Sequence, residues 1–127
     1  MTQHYVGTKI IEAWEQERTG EAGYAVKYAD GYISWSPKAV FEQTYLPLGH
    51  IGHLPPHVQR MYAESAELND RLTKLNAFLG SETFLALPEP DRHALEVQCK
   101  AMTAYSAALT TRINRFNPVP TQQAATV

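Results

Sequence analysis

The chain has 127 residues, of which 44% are hydrophobic and 19% are charged, and its formal net charge is −2. This size predicts one domain with room for a small appended module, and the charge argues against general affinity for a nucleic-acid polymer. The single cysteine and the lack of a signal-peptide pattern or a long apolar run predict a cytoplasmic protein with neither a disulfide framework nor a membrane span.

Residues 1–45 predict a small antiparallel β-module. Aromatic or β-branched side chains alternate with alanine and lysine over residues 24–28, Asp30 and Gly31 supply a tight turn, and Ile33 and Trp35 continue on a second strand. Together these features are typical of a β-hairpin.

Two further segments complete the predicted module. Residues 5–11 favour a third strand, and residues 12–23 are polar enough to form a long exposed connection. Ser36 and Pro37 are typical of the N-cap and first residue of a short helix. The apolar residues of this helix are predicted to cover one face of the sheet: Val40, Phe41 and Tyr45.

Residues 46–57 are rich in proline, glycine and histidine and predict a linker, whereas residues 117–127 predict a disordered tail. His50, His53 and His57 of the linker suggest a metal site, because neutral imidazoles are common ligands of zinc and nickel. However, no carboxylate or second cysteine lies nearby to complete a tetrahedral set. We therefore predict no metal centre.

Residues 58–116 predict two long helices that fold back on each other. Apolar or small residues recur at alternating spacings of four and three in both halves of this segment, which is typical of two packed helices. The first stripe comprises Met61, Ser65, Leu68, Leu72, Leu75 and Leu79, and the second comprises Leu95, Cys99, Met102, Ser106, Leu109, Ile113 and Phe116. An isolated hairpin of this length leaves the flanks of both stripes exposed, so we expect it to oligomerise.

The turn of the hairpin is predicted near Phe84. Gly80 ends the first helix, Ser81 can cap a short turn, and the prolines and acids of residues 88–91 favour the start of the second helix. In this antiparallel arrangement Ser65 lies opposite Ser106. Two interpretations remain open at this step: small residues that allow close helix approach, or a gap that admits a ligand.

The pattern of reactive residues argues against an enzyme. The chain has no nucleophile elbow, phosphate loop or dinucleotide fingerprint, and the position of Cys99 on the seam favours an inert core thiol. Tyr62 and Tyr105 flank the seam on opposite helices. With the nearby basic residues they could stack a nucleobase and hold a phosphate, or they could simply pad an association surface.

Three segments carry a resemblance to phage proteins. The run AELNDRLTKLNAFLGSETFLALPEPDR and the later MTAYSAALTTRINRF resemble the helical hairpin of a phage anti-defence family that includes the anti-CBASS type 2 protein and Thoeris anti-defence protein 1. The stretch GYAVKYADGYISWSPKAVFEQTY, after GTKII, is similar to an N-terminal segment of small phage and prophage proteins.

The resemblance implies a non-catalytic protein that assembles, commonly as a hexamer, in the cytoplasm of an infected bacterium. Such proteins sequester cyclic nucleotide immune signals, either cyclic di- or trinucleotides or cyclic ADP-ribose isomers, and so block host defence. The family holds its ligand with an aromatic residue of the first helix, a basic residue and hydroxyls of the turn. The matching candidates in this chain are Tyr62, Lys74, Ser81 and Thr83.

The chain departs from the family pattern at Ser65, where the family's aromatic residue falls. Either Tyr62 substitutes for that ring about one turn earlier, or the dinucleotide site is altered. Arg112 and Arg115 could converge around a symmetry axis and hold a second, cyclic trinucleotide-like ligand. The alternative function is an oligomeric scaffold without a small ligand, whose β-module docks another protein through Tyr24, Tyr32 and Trp35.

Overall fold

The computed structural model describes residues 1–116, so the predicted disorder of residues 117–127 lies outside the described part of the chain. The chain divides into two compact units, Met1–Leu46 and Pro47–Val127. A small antiparallel sheet is followed by long helices, which confirms the predicted α+β arrangement.

The first unit contains a three-stranded antiparallel sheet in the order β1-β2-β3. Its strands are β1 (Glu12–Glu15), β2 (Gly23–Lys27) and β3 (Ile33–Pro37). The turn at Asp30 and Gly31 joins β2 to β3 as predicted, and Gly31 has a positive φ of 91°. The Asp30 side chain accepts a hydrogen bond of 2.9 Å from the backbone N–H of Tyr32, which stabilises this turn.

The position of the first strand corrects the sequence prediction. Residues 5–11 are not a strand in the structure, and β1 instead lies in the segment predicted as an exposed connection. The chain reverses at Thr19 and Gly20, whose φ values of 48° and 81° suit a tight hairpin turn. Because this turn directly precedes β2, the residues immediately before it pair with β2, and residues 5–11 lie too far back to do so.

Helix α1 (Lys38–Thr44) covers one face of the sheet. Ser36 does not cap it, since Ser36 and Pro37 belong to β3 and no side chain caps α1. The ring of Phe41 stacks on Tyr24 and Tyr45 at centroid distances of 4.1 and 4.9 Å. These three stacked rings form the contact between helix and sheet.

Two tyrosine hydroxyls on this helix-covered face have perturbed acidity. Tyr24 donates a hydrogen bond of 2.8 Å to Oε2 of Glu42, and this bond is the main reason that the pKa of Tyr24 is raised. Burial raises the pKa of Tyr45, with a smaller contribution from Tyr28. The Tyr24 hydroxyl therefore stays protonated through neutral pH and serves as a donor to Glu42.

The opposite face of the sheet is closed by Trp35. Its indole ring lies against the backbone at Gly23, and its Nε1–H donates a hydrogen bond of 2.7 Å to the carbonyl oxygen of Gln16. The guanidinium of Arg18 lies 5.3 Å from the centre of the ring. Trp35 thus spans from β3 across β2 to the turn beyond β1, which only a glycine at position 23 permits.

The second unit is a helical hairpin. It consists of α2 (Pro56–Leu79), a short α3 (Glu82–Leu85) at the turn, and α4 (Glu89–Phe116), and α2 packs along α4. The residues buried between the helices include four members of the two predicted stripes: Met61, Leu68, Leu109 and Ile113. The hairpin and its turn near Phe84 are therefore confirmed.

Candidate ligand-binding surfaces of the hairpin

A ladder of polar contacts fixes the register between α2 and α4. Ser106 donates a hydrogen bond of 2.6 Å to Oδ1 of Asn69, and the thiol of Cys99 donates one of 3.2 Å to Oδ1 of Asn76. The two pairs are separated by seven residues on each helix, in opposite directions along the chain. This is the repeat expected of an antiparallel pair of helices with heptad packing.

Ser65 and Ser106, which were predicted to lie opposite each other, are linked by hydrogen bonds through a third residue, Asn69. Nδ2 of Asn69 donates a hydrogen bond of 3.2 Å to Oγ of Ser65, while Oδ1 of the same carboxamide accepts from Ser106. Asn69 therefore bridges the two serines. This polar network occupies the place at which the sequence suggested either close helix approach or a gap.

Sequence reasoning missed Asn69 and Asn76. Each asparagine follows a seam leucine, Leu68 or Leu75, so the apolar pattern assigns it to a solvated flank. Their spacing of one heptad was the available signal, because residues seven apart lie on nearly the same side of a helix. The structure places both carboxamides at the edge of the seam, where they remain exposed to solvent.

Tyr62 lies at the open end of the hairpin, where α2 begins and α4 ends. It packs, half-buried, on the cluster formed by Val58, Met61 and Ile113. Beside this cluster the rings of His57 and Phe116 meet edge to face at a centroid distance of 5.3 Å. Part of the Tyr62 ring is thus committed to packing within its own chain.

Tyr62 and Tyr105 lie on different flanks of the seam. Tyr62 precedes Asn69 by one heptad and so shares its flank. Tyr105 directly precedes Ser106, which faces Asn69, and adjacent helix residues point about 100° apart. Tyr105 and Arg112, again one heptad apart, therefore belong to the opposite flank. The helical repeat therefore places the two candidate tyrosines on different flanks of one hairpin.

Two of the three candidates at the closed end, Ser81 and Lys74, already make polar contacts within the chain. Ser81 caps α3: its Oγ accepts a hydrogen bond of 3.2 Å from the N–H of Phe84 and donates one of 2.6 Å to the carbonyl of Phe78. The ammonium of Lys74 lies 3.0 Å from a carboxylate oxygen of Asp70, one turn earlier on α2. Thr83, by contrast, is exposed on α3.

These contacts predict different outcomes for the two turn hydroxyls. Ser81→Ala removes an N-cap and should lower the free energy of unfolding of the hairpin by about 1 kcal/mol. Thr83→Ala, the matched control, should change it by less than about 0.5 kcal/mol because the side chain is exposed. Urea unfolding followed by circular dichroism measures both values, and equal losses would contradict the capping role.

Arg112 and Arg115 are exposed near the end of α4. Within residues 1–116, neither guanidinium has a carboxylate at ion-pair distance, since the ion pairs there are Lys27 with Glu12 and Lys74 with Asp70. Charge on this part of the hairpin is thus not neutralised within the described chain. Such guanidinium groups can bind an anionic ligand, for which bidentate contacts to phosphate are particularly strong.

Metal binding and insertion into a membrane are two further possibilities for residues 1–116. No three histidine, cysteine, aspartate or glutamate side chains come together in residues 1–116 as a metal ion would require, and this includes the linker histidines. In that part of the chain, the helices also contain no apolar stretch long enough for a membrane span.

Comparison with known proteins gives one family match. Neither the curated proteins nor the solved structures include a match to this chain. The matched segment contains nearly all of the hairpin, and the sheet of the first unit lies outside it. Residues 55–115, from the start of α2 almost to the end of α4, match the model of the Sequestin family.

Proposed function

We propose that this protein sequesters a cyclic nucleotide immune signal and so blocks the anti-phage defence of a bacterial host. The observation that carries the proposal is the match of the hairpin to the Sequestin family, whose name describes sequestration of a small molecule or signal. Binding without cleavage is the corresponding mode of action. The signals proposed are cyclic di- or trinucleotides and cyclic ADP-ribose isomers, as implied by the resemblance to phage anti-defence hairpins.

The site is proposed to lie between hairpins of a homo-oligomer, with a hexamer as the expected assembly in the host cytoplasm. A single hairpin separates Tyr62 and Tyr105 on its two flanks, whereas two neighbouring hairpins can oppose one flank to the other. Such an interface would place a Tyr62 flank with its exposed carboxamides against a Tyr105 flank with Arg112. It would therefore combine a ring for stacking a base with a cation for a phosphate.

At the closed end, Lys74 and Thr83 are the candidates with freedom to turn toward a ligand. Lys74 is exposed, and its ion pair with Asp70 on the helix surface contributes little stability. A phosphate could therefore replace Asp70 as the partner of Lys74 at small cost. Ser81 keeps its capping bonds and would contribute through the position it gives to α3. Ser65 has no ring to stack on a base, and its hydroxyl accepts a hydrogen bond from Asn69. We therefore assign Tyr62 as the aromatic residue that stacks on the base.

Arg112 and Arg115 are proposed to hold a second, more anionic ligand at the symmetry axis. Several like charges that converge on an axis repel one another unless an anion lies between them. A cyclic trinucleotide carries three phosphates and would neutralise such a ring of guanidinium groups. A preference for trinucleotides over dinucleotides at this position follows from the charge count.

The alternative function is an oligomeric scaffold without a small-molecule ligand. It is favoured by the exposed aromatic residues Trp14 and Tyr32 of the first unit, and by the outward position of Lys74 and Arg112 in the single chain. Tyr24 and Trp35, which the sequence suggested as further docking residues, are instead half-buried, because Tyr24 stacks on Phe41 and Trp35 lies against Gly23. In a scaffold these cations stay in water or meet acids of a partner. In a sequestering protein some of them enter a closed cavity and bind phosphate.

Calorimetric titration of the purified full-length protein distinguishes these functions. The titrants are cyclic dinucleotides, cyclic trinucleotides and cyclic ADP-ribose isomers, each recovered by chromatography after denaturation of the complex. We expect at least one to bind and to be returned intact. A cleaved product would contradict sequestration without catalysis, and no binding across the panel would overturn the proposal in favour of the scaffold.

A pair of charge variants tests the assignment of Arg112. Arg112→Gln should weaken binding of the responsive nucleotide at least tenfold, because a hydrogen bond to a charged group contributes about 1.5–3 kcal/mol. Lys100→Gln is the matched control: Lys100 lies about two and a half turns from the buried Leu109 and so faces away from the seam. Equal effects of the two substitutions would remove Arg112 from the site.

A further inference from the structure

The first strand of the N-terminal sheet is an uncovered edge. Strand β1 pairs with β2 on one side only, and all four of its residues are exposed. Residues 1–9 before it are exposed as well, with Tyr5 and Val6 87% and 99% exposed, whereas Ile10 and Ile11 are half-buried. Long exposed edges with β-prone side chains are sites at which another strand can pair.

The hydrogen bonds of the sheet show which backbone groups of this edge point outward. The N–H of Gln16 donates to the carbonyl of Gly23 at 2.8 Å, so this pair belongs to the hydrogen-bonded set of the antiparallel ladder. Pairs of this set alternate with pairs that are not hydrogen-bonded. Trp14 and Glu12 therefore direct their backbone groups toward β2, whereas Ala13 and Glu15 direct theirs away from the sheet.

The same alternation divides the side chains between the two faces. Glu15 lies on the face of Tyr24 and contributes to its raised pKa, and the ammonium of Lys9 lies 4.6 Å from the ring centre of Tyr28 on that face. Trp14 is opposite Ala25 on the other face and remains 45% exposed. The edge thus carries a cation at Lys9, anions at Glu12 and Glu15, and a large exposed ring at Trp14.

We propose that β1 and the residues just before it pair with the same segment of a second copy. The two segments run antiparallel about a two-fold axis at Glu12, which joins two three-stranded sheets into one of six strands. Lys9 then lies opposite Glu15 of the other copy, and Ile10 lies opposite Trp14. Each contact occurs twice, as the symmetry of an isologous interface requires.

Charge and backbone direction together select this register. The register of the two segments can change only in steps of two residues if outward-pointing residues are to remain opposite one another. This follows because the backbone hydrogen-bonding groups alternate in direction along the strand. A shift of two residues one way places Lys9 opposite Ala13, and a shift the other way places it opposite Glu17, beyond the end of β1. The proposed register is the one that pairs Lys9 with an acid on the strand itself, and opposite charges across a ladder stabilise it.

Glu12 meets its own copy at the axis in this arrangement. Two carboxylates facing each other oppose pairing, but in each copy the ammonium of Lys27 lies 4.0 Å from the Glu12 carboxylate. The axis therefore carries two acids and two bases rather than an uncompensated negative pair. This pairing is independent of ligand binding by the hairpin, since it involves residues outside the segment that matches the Sequestin family.

Disulfide cross-linking of the full-length protein tests the register. In a Cys99→Ser background, Glu12→Cys places the new thiols of two copies about 4.5 Å apart at Cα, a distance that permits a disulfide. Glu15→Cys is the matched control on the same strand, because its symmetry mates lie six residues apart, or about 20 Å. We expect at least tenfold faster cross-linking of Glu12→Cys, and equal rates would overturn the proposal.

Charge reversal adds a second readout in the Glu12→Cys protein. Lys9→Glu and Glu15→Lys should each slow cross-linking about fivefold, because each puts like charges opposite each other twice per interface. The two reversals combined should restore the parent rate, since opposite charges again face each other. Failure of the combined variant to recover would contradict the Lys9–Glu15 contact even if Glu12→Cys cross-links.

Discussion

Replacement of Gly23 by alanine should strongly destabilise the N-terminal unit while the stability of the helical hairpin stays unchanged. A Cβ at position 23 would collide with the carbonyl oxygen of Ser36 and with the indole ring of Trp35. Overpacking of this kind typically costs about 1–3 kcal/mol, and here one colliding atom is backbone and cannot rotate away. A unit of 46 residues is stabilised by only about 2–7 kcal/mol in total, so this cost is a large fraction of its stability.

Tryptophan fluorescence measures this effect selectively, because both tryptophans, Trp14 and Trp35, belong to the first unit. The fluorescence transition of Gly23→Ala should move to much lower denaturant, while the helical circular dichroism at 222 nm keeps its parent transition. Gly7→Ala is the control, since a Cβ there meets no atom within 4 Å. An unchanged fluorescence transition in Gly23→Ala would show that Trp35 does not lie against Gly23.

Leu109→Ala should be the most destabilising single change in the hairpin. Leu109 is 1% exposed and is among the largest fully buried side chains of the described residues. Truncation of a buried leucine to alanine costs about 2–5 kcal/mol, because it removes apolar contacts and leaves a cavity. Val97 lies on the same helix but is 52% exposed, so Val97→Ala should cost less than about 0.5 kcal/mol.

Urea unfolding monitored at 222 nm compares the two helix variants at one protein concentration. The concentration must be fixed because association of hairpins adds to the apparent stability. Since alanine has a higher helix propensity than leucine or valine, a loss in Leu109→Ala reports packing rather than helix formation. Similar stabilities of the two variants would contradict the assignment of Leu109 to the centre of the seam.

The hairpin was predictable because a short repeat in the sequence determines which helix faces pack together. Spacings of four and three place one residue of each turn on the same stripe, and two such stripes separated by a turn must face each other. The helix limits predicted at Leu79 and near Glu89 agree with α2 and α4. Here the tertiary contact and the secondary structure have the same periodic signal, so one implies the other.

The first strand was not predictable by the same means. Residues 12–15 read Glu-Ala-Trp-Glu, which lacks the β-branched pattern of residues 5–11. Their pairing depends on a turn in which Thr19 adopts a positive φ, an uncommon conformation for threonine. It depends also on the indole of Trp35, which reaches the backbone of Gln16 from two strands away. Tertiary contacts, rather than local propensity, thus place β1.

The candidate surfaces were predictable in composition but not in arrangement. The sequence identifies Tyr62, Tyr105 and Arg112 as aromatic and basic residues near the seam, yet the flank of each depends on how one helix is rotated against the other. The hydrogen bonds that Asn69 and Asn76 accept from Ser106 and Cys99 reveal that rotation. The capping role of Ser81, by contrast, follows from its position just before α3 and was expected.

The polar ladder between the helices does not depend on whether α2 and α4 come from one chain. Asn69 and Asn76 would meet Ser106 and Cys99 at the same positions if α4 came from a neighbouring copy. The ladder therefore specifies how the two helices align but not whether they belong to the same chain. The turn keeps α4 packed on α2 of its own chain, because Phe84 is buried there and Arg92 donates hydrogen bonds to the carbonyls of Leu85 and Leu87. Loosening this turn would favour exchange of α4 between copies, with every seam contact retained.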